Sequence, residues 1–391
     1  TTAANWAGGP IVAGATPVFG TGARNTPNND FGSGTVFGGL MFNSTAASFT
    51  LGGNSIDLSG GVADASPNAQ VVNMPLVLDA GGGLFNVSSG SGRLTVGGAI
   101  GETGGARQLT KIGAGTLALS GTNAYSGGTV LAAGKLAVGN NDALGTNTLT
   151  LAGGALINSA AGIVISNAIS VTGSSAIYAA DGVGDWTISG PISGGGTIAN
   201  NLAGQNQSLS INGDISAFTG ALVYADADNT YNNLSIGGGT PGSLDGSQVR
   251  FVMSGGSSLT RALRAADGFQ MGDLSGSGTL GGSGMLTVGA LNLISAFEGS
   301  LSDDGGTRSL TKTGSGTFTL RGAGINYTGI TTIDAGTNIL AGTGAFNSPV
   351  VLNGGTLTTD SATGNVMLPQ PISGDSSGGR MRVGGANWTY M

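Results

Sequence analysis

The chain contains no cysteine and no histidine. Without cysteine there is no disulfide framework and no thiolate nucleophile, a composition that suits bacterial proteins exported unfolded. Without histidine the commonest general base and the commonest metal ligand are missing, so a Ser-His-Asp triad and the usual zinc sites are excluded. Charge is scarce as well: 8% of residues are charged and the net charge is −7. Lysine occurs only at Lys111, Lys135 and Lys312. So few cations cannot neutralise a row of phosphates or hold an anionic membrane surface, which argues against nucleic acid and lipid headgroups as partners. No apolar run approaches the roughly 18 residues of a membrane helix, so insertion into a membrane is not expected. The first residues, Thr1-Thr-Ala-Ala-Asn5, have neither a basic start nor an apolar run, so a signal peptide is absent or already removed.

Glycine, by contrast, is abundant, at 78 of 391 residues, while proline is only 10 and the apolar fraction is 39%. That combination excludes collagen and flexible linkers. It describes a chain that can bury a core and turns often. Apolar clusters such as Leu149-Thr-Leu151, Ile163-Val-Ile165, Ile169-Ser-Val171 and Val350-Val-Leu352 are short and end at Gly, Asn, Asp or Ser. They read as short strands between turns. The stretch Leu259–Met271 is the one place where a loop with a short helix is expected.

Repetition organises these strands. Leu109-Thr-Lys-Ile-Gly-Ala-Gly-Thr-Leu-Ala-Leu-Ser-Gly121 returns 201 residues on as Leu310-Thr-Lys-Thr-Gly-Ser-Gly-Thr-Phe-Thr-Leu-Arg-Gly322. Leu151-Ala-Gly-Gly-Ala-Leu-Ile157 is echoed by Leu352-Asn-Gly-Gly-Thr-Leu-Thr358, so related blocks run from about 109 to 187 and from about 310 to 389. A Gly-x-Gly-Thr-apolar motif starts at Gly113, Gly194, Gly276 and Gly314. An aromatic-x-Gly motif starts at Tyr125, Phe218, Phe297 and Tyr327, and is read as an aromatic stacked in or beside the core, with a glycan-binding stripe as the alternative. Trp follows an amide or acid at Asn5-Trp6, Asp185-Trp186 and Asn387-Trp388.

The motif spacing is too irregular for propeller blades, and the clusters are too small for wide sheets. Both features fit a parallel β-helix, in which each coil sends two or three side chains into a narrow core. At roughly 20 to 25 residues per coil, residues 1–391 would form one continuous rod of about 16 to 19 coils, on the order of 80 Å long at about 4.8 Å per coil. The usual hand of parallel crossovers makes it right-handed.

The segment Gly113 to Leu136, Gly-Ala-Gly-Thr-Leu-Ala-Leu-Ser-Gly-Thr-Asn-Ala-Tyr-Ser-Gly-Gly-Thr-Val-Leu-Ala-Ala-Gly-Lys-Leu, resembles the passenger-associated repeat of bacterial autotransporters. Gly314 to Gly336 is a weaker second match, with Thr337-Asn where Lys-Leu stood. The resemblance covers about 60 residues directly. It implies a right-handed β-helix displayed on, or released from, the surface of a Gram-negative-type cell, with its signal peptide removed. No segment up to Asn387-Trp-Thr-Tyr-Met391 reads as the C-terminal membrane barrel of that family, so the expectation is a barrel cleaved or never included, or a stand-alone protein using the same repeat.

Chemistry in such a chain would have to rest on carboxylates. The candidate pairs are Asp226 with Asp228, Asp303 with Asp304, and Asp181 with Asp185, and the accompanying arginines are Arg250, Arg261 and Arg264. Solvated turn carboxylates are the plainer reading of each pair. Ala225-Asp-Ala-Asp-Asn-Thr-Tyr231 begins like an oxygen-rich calcium loop but lacks its spaced Gly and closing Glu. No catalytic, cofactor or metal residue is therefore assigned. The expectation is an extracellular structural or adhesive solenoid, not an enzyme. Its partners would be surface glycans, a neighbouring or host cell surface, or further copies joined end to end into a filament. The last idea rests on the likeness of Asn5-Trp-Ala-Gly-Gly-Pro-Ile11 to Asp185-Trp-Thr-Ile-Ser-Gly-Pro-Ile192 and on the chain's stopping at Asn387-Trp388. The alternatives are a secreted polysaccharide-active enzyme and a glycan-binding module on the same scaffold.

Overall fold

The structure, a computed structural model, describes residues 11–384 apart from 23, 181, 202–206, 226–231, 238–244, 255–261, 361, 363 and 375–376. Among the described residues every regular element is a β-strand, and the strand pairs recorded between turns are parallel. The chain is a β-solenoid in two compact units, Thr1–Val183 and Gly184–Met391.

In the first unit the strands stack in three ladders. One runs from Val18–Phe19 through Leu84–Val87 and Leu109–Ile112 to Ile169–Val171. A second runs from Thr50–Gly53 through Thr116–Leu119 to Ser174–Tyr178. A third joins Thr35–Phe37, Ile56–Leu58, Leu76–Leu78 and Ile100–Glu102. Because side chains alternate along a strand and turns stack in register, one inward position repeats as a column. Leu94, Leu117, Leu136, Leu156 and Ile177 form such a column and are fully buried. Each of these side chains contributes about 1.5–3 kcal/mol of burial. Leu109, Thr129, Leu149 and Ile169 share one register, twenty residues to the turn.

The second unit repeats the principle with less even steps. Leu310, Thr331, Val350 and Ile372 stand in register, whereas Ala221 pairs with Arg250 across 29 residues. The segment around Leu259–Met271, read from sequence as a loop with a short helix, contains the strands Ala262–Ala265 and Phe269–Gly276 instead. Phe269 and Met271 are both fully buried with exposed Gln270 between them. That two-residue alternation belongs to a strand, and stacking on neighbouring turns overrides the local spacing of apolar residues.

The aromatic-x-Gly motifs place Tyr125, Phe218, Phe297 and Tyr327 in the core, each at most 1% exposed, and Trp186 is buried with them. The glycine of the long repeat is required at its corner. Gly113 has φ 78° and Gly314 φ 67°. A Cβ would run into the carbonyl oxygen of Val87 in the first case and of Gly289 in the second.

Asn338 is among the core positions that break the apolar rule. Asn338 lies in register between Phe318 and Leu357, where Leu136 lies between Leu117 and Leu156 in the first repeat. It is fully buried, and neither its amide nitrogen nor its amide oxygen has a hydrogen-bond partner. Replacing it with the residue found in the other repeat, Asn338→Leu, is expected to raise stability by about 1–3 kcal/mol, seen as a higher denaturation midpoint in urea.

Candidate functional site

The two copies of the long repeat build the same polar anchorages. A carboxylate one turn before each aromatic-x-Gly motif fastens it. Glu102 accepts hydrogen bonds from the Arg107 N–H (2.6 Å), the Ser126 N–H (2.9 Å) and the Ser126 hydroxyl (2.6 Å). Asp303 accepts from the Arg308 N–H (2.8 Å), the Thr328 N–H (3.3 Å) and the Thr328 hydroxyl (2.7 Å). Desolvation works against both charges. The hydrogen bonds from Ser126 and Arg107, and from Arg308 and Thr328, outweigh it and hold both carboxyls below their ordinary range.

The tyrosine of each motif starts a short relay. Tyr125 Oη lies 2.7 Å from Thr129 Oγ1, whose proton goes to the Leu144 carbonyl at 2.9 Å, so Tyr125 is the donor to Thr129. In the second copy Ser348 donates to the Gly329 carbonyl, Thr331 to Ser348, and Tyr327 to Thr331. Lys111 and Lys312 are buried. Lys111 Nζ donates to the carbonyls of Ile112 (2.7 Å), Gly113 (2.7 Å) and Ala133 (3.1 Å), and Lys312 Nζ to those of Thr313 (2.5 Å), Gly314 (2.9 Å) and Ala335 (3.4 Å). Burial pushes each ammonium down to about 8, and the carbonyl cradle counters it by favouring the charged form.

Among the described residues, the carboxylates singled out from sequence are engaged in main-chain hydrogen bonds. Asp303 is committed to its turn, and Asp304 Oδ2 accepts from the Gly282 N–H at 2.9 Å. Asp185 Oδ1 accepts from the Ser208 N–H at 2.6 Å. Asp181, the Asp226–Asp228 pair with its calcium reading, and Arg261 lie outside the described residues, as do the Trp6 and Trp388 motifs behind the end-to-end expectation. Arg264 falls in the strand Ala262–Ala265, and Arg250 is exposed on the strand Asp245–Ser254.

The feature that sequence reading missed is a cleft of about 480 Å³ in the first unit, lined about equally by polar and apolar atoms and shaped by loops around Thr122, Asn141, Asn147 and Asn167 on successive turns. Asparagines fix its walls. Asn123 accepts from the Ile100 N–H (2.8 Å) and donates to the Ala143 carbonyl (2.6 Å). Asn147 donates to the Ser126 carbonyl (3.0 Å), and Asn167 donates to the carbonyls of Gly145 (3.0 Å) and Asn147 (2.7 Å). Asp142 is the one charged residue in the lining, and no cation lines it. A lining of amides, hydroxyls and apolar atoms with one carboxylate and no cation suits a neutral polyhydroxylated ligand better than an anionic one. The signal was present as Asn123, Asn147 and Asn167 at steps close to one turn, hidden by the commonness of Asn in loops.

Comparison with known proteins agrees with the architecture. The family model of the passenger-associated-transport-repeat matches residues 109–138 and 310–337, the two copies described above. The adhesin BmaC autotransporter of Brucella suis biovar 1 (strain 1330) is 29% identical over 369 residues, covering 90% of this chain and 10% of the relative. The chain thus spans about a tenth of the length of the curated relative it matches. No solved structure matches it.

Two outcomes follow for the anchorages. Lys111→Met leaves three carbonyls without their donor and is expected to cost about 1–3 kcal/mol in urea denaturation. A carboxyl with a lowered folded-state pKa adds stability above its unfolded value, which is lost as pH falls through the folded value. After correction for intrinsic exchange, protection of the Ser126 and Thr328 amides should therefore fall below pH about 4, and Glu102→Gln should abolish that acid step at Ser126 alone.

Proposed function

We propose that this β-solenoid, which resembles autotransporter passengers in its two repeats and along most of its length, serves as an adhesive segment displayed on the surface of a Gram-negative cell. In this reading it binds and does not catalyse, and the asparagine-walled cleft of the first unit contacts neutral glycans. The observation that carries the reading is the likeness to an adhesin over nine-tenths of this chain. It is supported by the fate of the candidate carboxylates: Asp303 accepts the main-chain N–H groups of Arg308 and Thr328, and Asp304 and Asp185 each accept one from a neighbouring turn. Against desolvation, these hydrogen bonds hold the Asp303 carboxyl below its ordinary range, which makes it a poor general acid.

Within the cleft, Asp142 accepts hydroxyl protons while Asn141 and Thr146 add neutral hydrogen bonds. The reading is tested by incubating the purified chain with a panel of neutral and anionic polysaccharides, following both retention and chain length. Retention of neutral glycans without shortening is expected, falling about tenfold with Asp142→Ala, the size of one lost charge-assisted hydrogen bond. Shortening of any polysaccharide, or equal retention of anionic ones, would overturn it.

A further inference from the structure

In the first unit the inward column Phe42, Asp64, Val87 stands in register on three successive turns. Phe42 and Val87 are fully buried, and Asp64 is 1% exposed. A carboxyl group thus occupies a core position that its neighbours fill with hydrocarbon. One of its oxygens, Oδ1, accepts the Ser66 N–H at 2.9 Å, while Oδ2 is buried with no hydrogen-bond partner.

The surroundings offer no counter-charge. The strands packed on either side, Leu40–Phe42 and Leu84–Val87, contain no titratable residue. Neither does the corner that follows, Ala65–Gln70, nor the corner of the preceding turn, Asn43–Phe49. That corner is otherwise closed by neutral hydrogen bonds. Ser66 Oγ and Asn68 Nδ2 both donate to the Ala46 carbonyl at 2.8 Å. Gln70 donates to Ala47 at 2.9 Å and accepts from the Phe49 N–H at 2.9 Å.

We propose that Asp64 is a protonation switch built into the core of the first unit: neutral, it packs as part of the Phe42–Val87 column; ionised, it loosens the corner from Asp64 to Gln70. Burial, opposed by the Ser66 hydrogen bond, raises its carboxyl to about 6. A raised folded-state pKa means that the stability it lends is complete below the unfolded value and fades as pH rises through the folded one. The window is therefore about pH 4 to 6. The corner is tight in acid and slack at neutrality, the reverse of the response of Glu102 and Asp303.

Hydrogen exchange of the whole chain tests this at the amides that clasp the corner, Ala65 on the Phe42 carbonyl and Ser88 on the Asp64 carbonyl. After correction for intrinsic exchange, protection there should fall by up to about 100-fold between pH 4 and pH 7, tenfold per unit of pKa difference. Asp64→Asn, which keeps the shape and removes the charge, should hold the acid-state protection at both pH values. An identical pH response in wild type and Asp64→Asn would overturn the proposal. Should the variant fail to fold, carbon-13 titration of the Asp64 carboxyl in the wild-type chain decides it: a midpoint near 6 upholds the switch, and one in the ordinary range near 4 refutes it.

Discussion

Each turn of this protein exists because the turn before it presents a row of unpaired carbonyl and N–H groups at the right spacing. In-register parallel pairing is the constraint from which the rest follows. It places position on position, so a leucine at one inward site recruits an apolar residue at the same site one turn later, as from Leu94 to Ile177. It also fixes where glycine is needed, because the carbonyl of the preceding turn passes where a side chain would begin at Gly113 and Gly314. The core itself can be thin, since main-chain pairing is satisfied turn by turn and only the inward columns must stay dry.

The same constraint explains why charged groups in the repeat are structural. A solenoid corner leaves main-chain groups that no strand ladder can take up. Glu102 and Asp303 supply acceptors for N–H groups, Lys111 and Lys312 supply donors for carbonyls, and the tyrosine relays close the remaining hydroxyls. In a chain this poor in charge, residues that look like candidates for chemistry are recruited to finish corners.

How much of this could be read beforehand varies by element. The parallel solenoid and the buried aromatic-x-Gly residues were legible because they repeat: Tyr125 and Tyr327 sit in matching sentences of sequence. Lys111 was legible in principle, since it shares the two-residue phase of Leu109, but a lysine between Thr110 and Ile112 is ordinarily taken as facing water. The strands at Ala262–Ala265 and Phe269–Gly276 were misread because their pairing partners are more than a dozen residues away and leave no local trace. The cleft was illegible for a related reason. Its walls come from three turns, and a cleft between turns has no motif of its own.

The even twenty-residue step of the first unit has a mechanical side. A turn is bonded to its neighbours and to little else, so a pull on the chain strips the outermost turn without breaking those behind it. Each turn released would pay out up to roughly 70 Å of chain, at about 3.5 Å per residue. A tether that lengthens in equal instalments, and can rewind on the template still standing, absorbs a jolt that would snap a rigid strut.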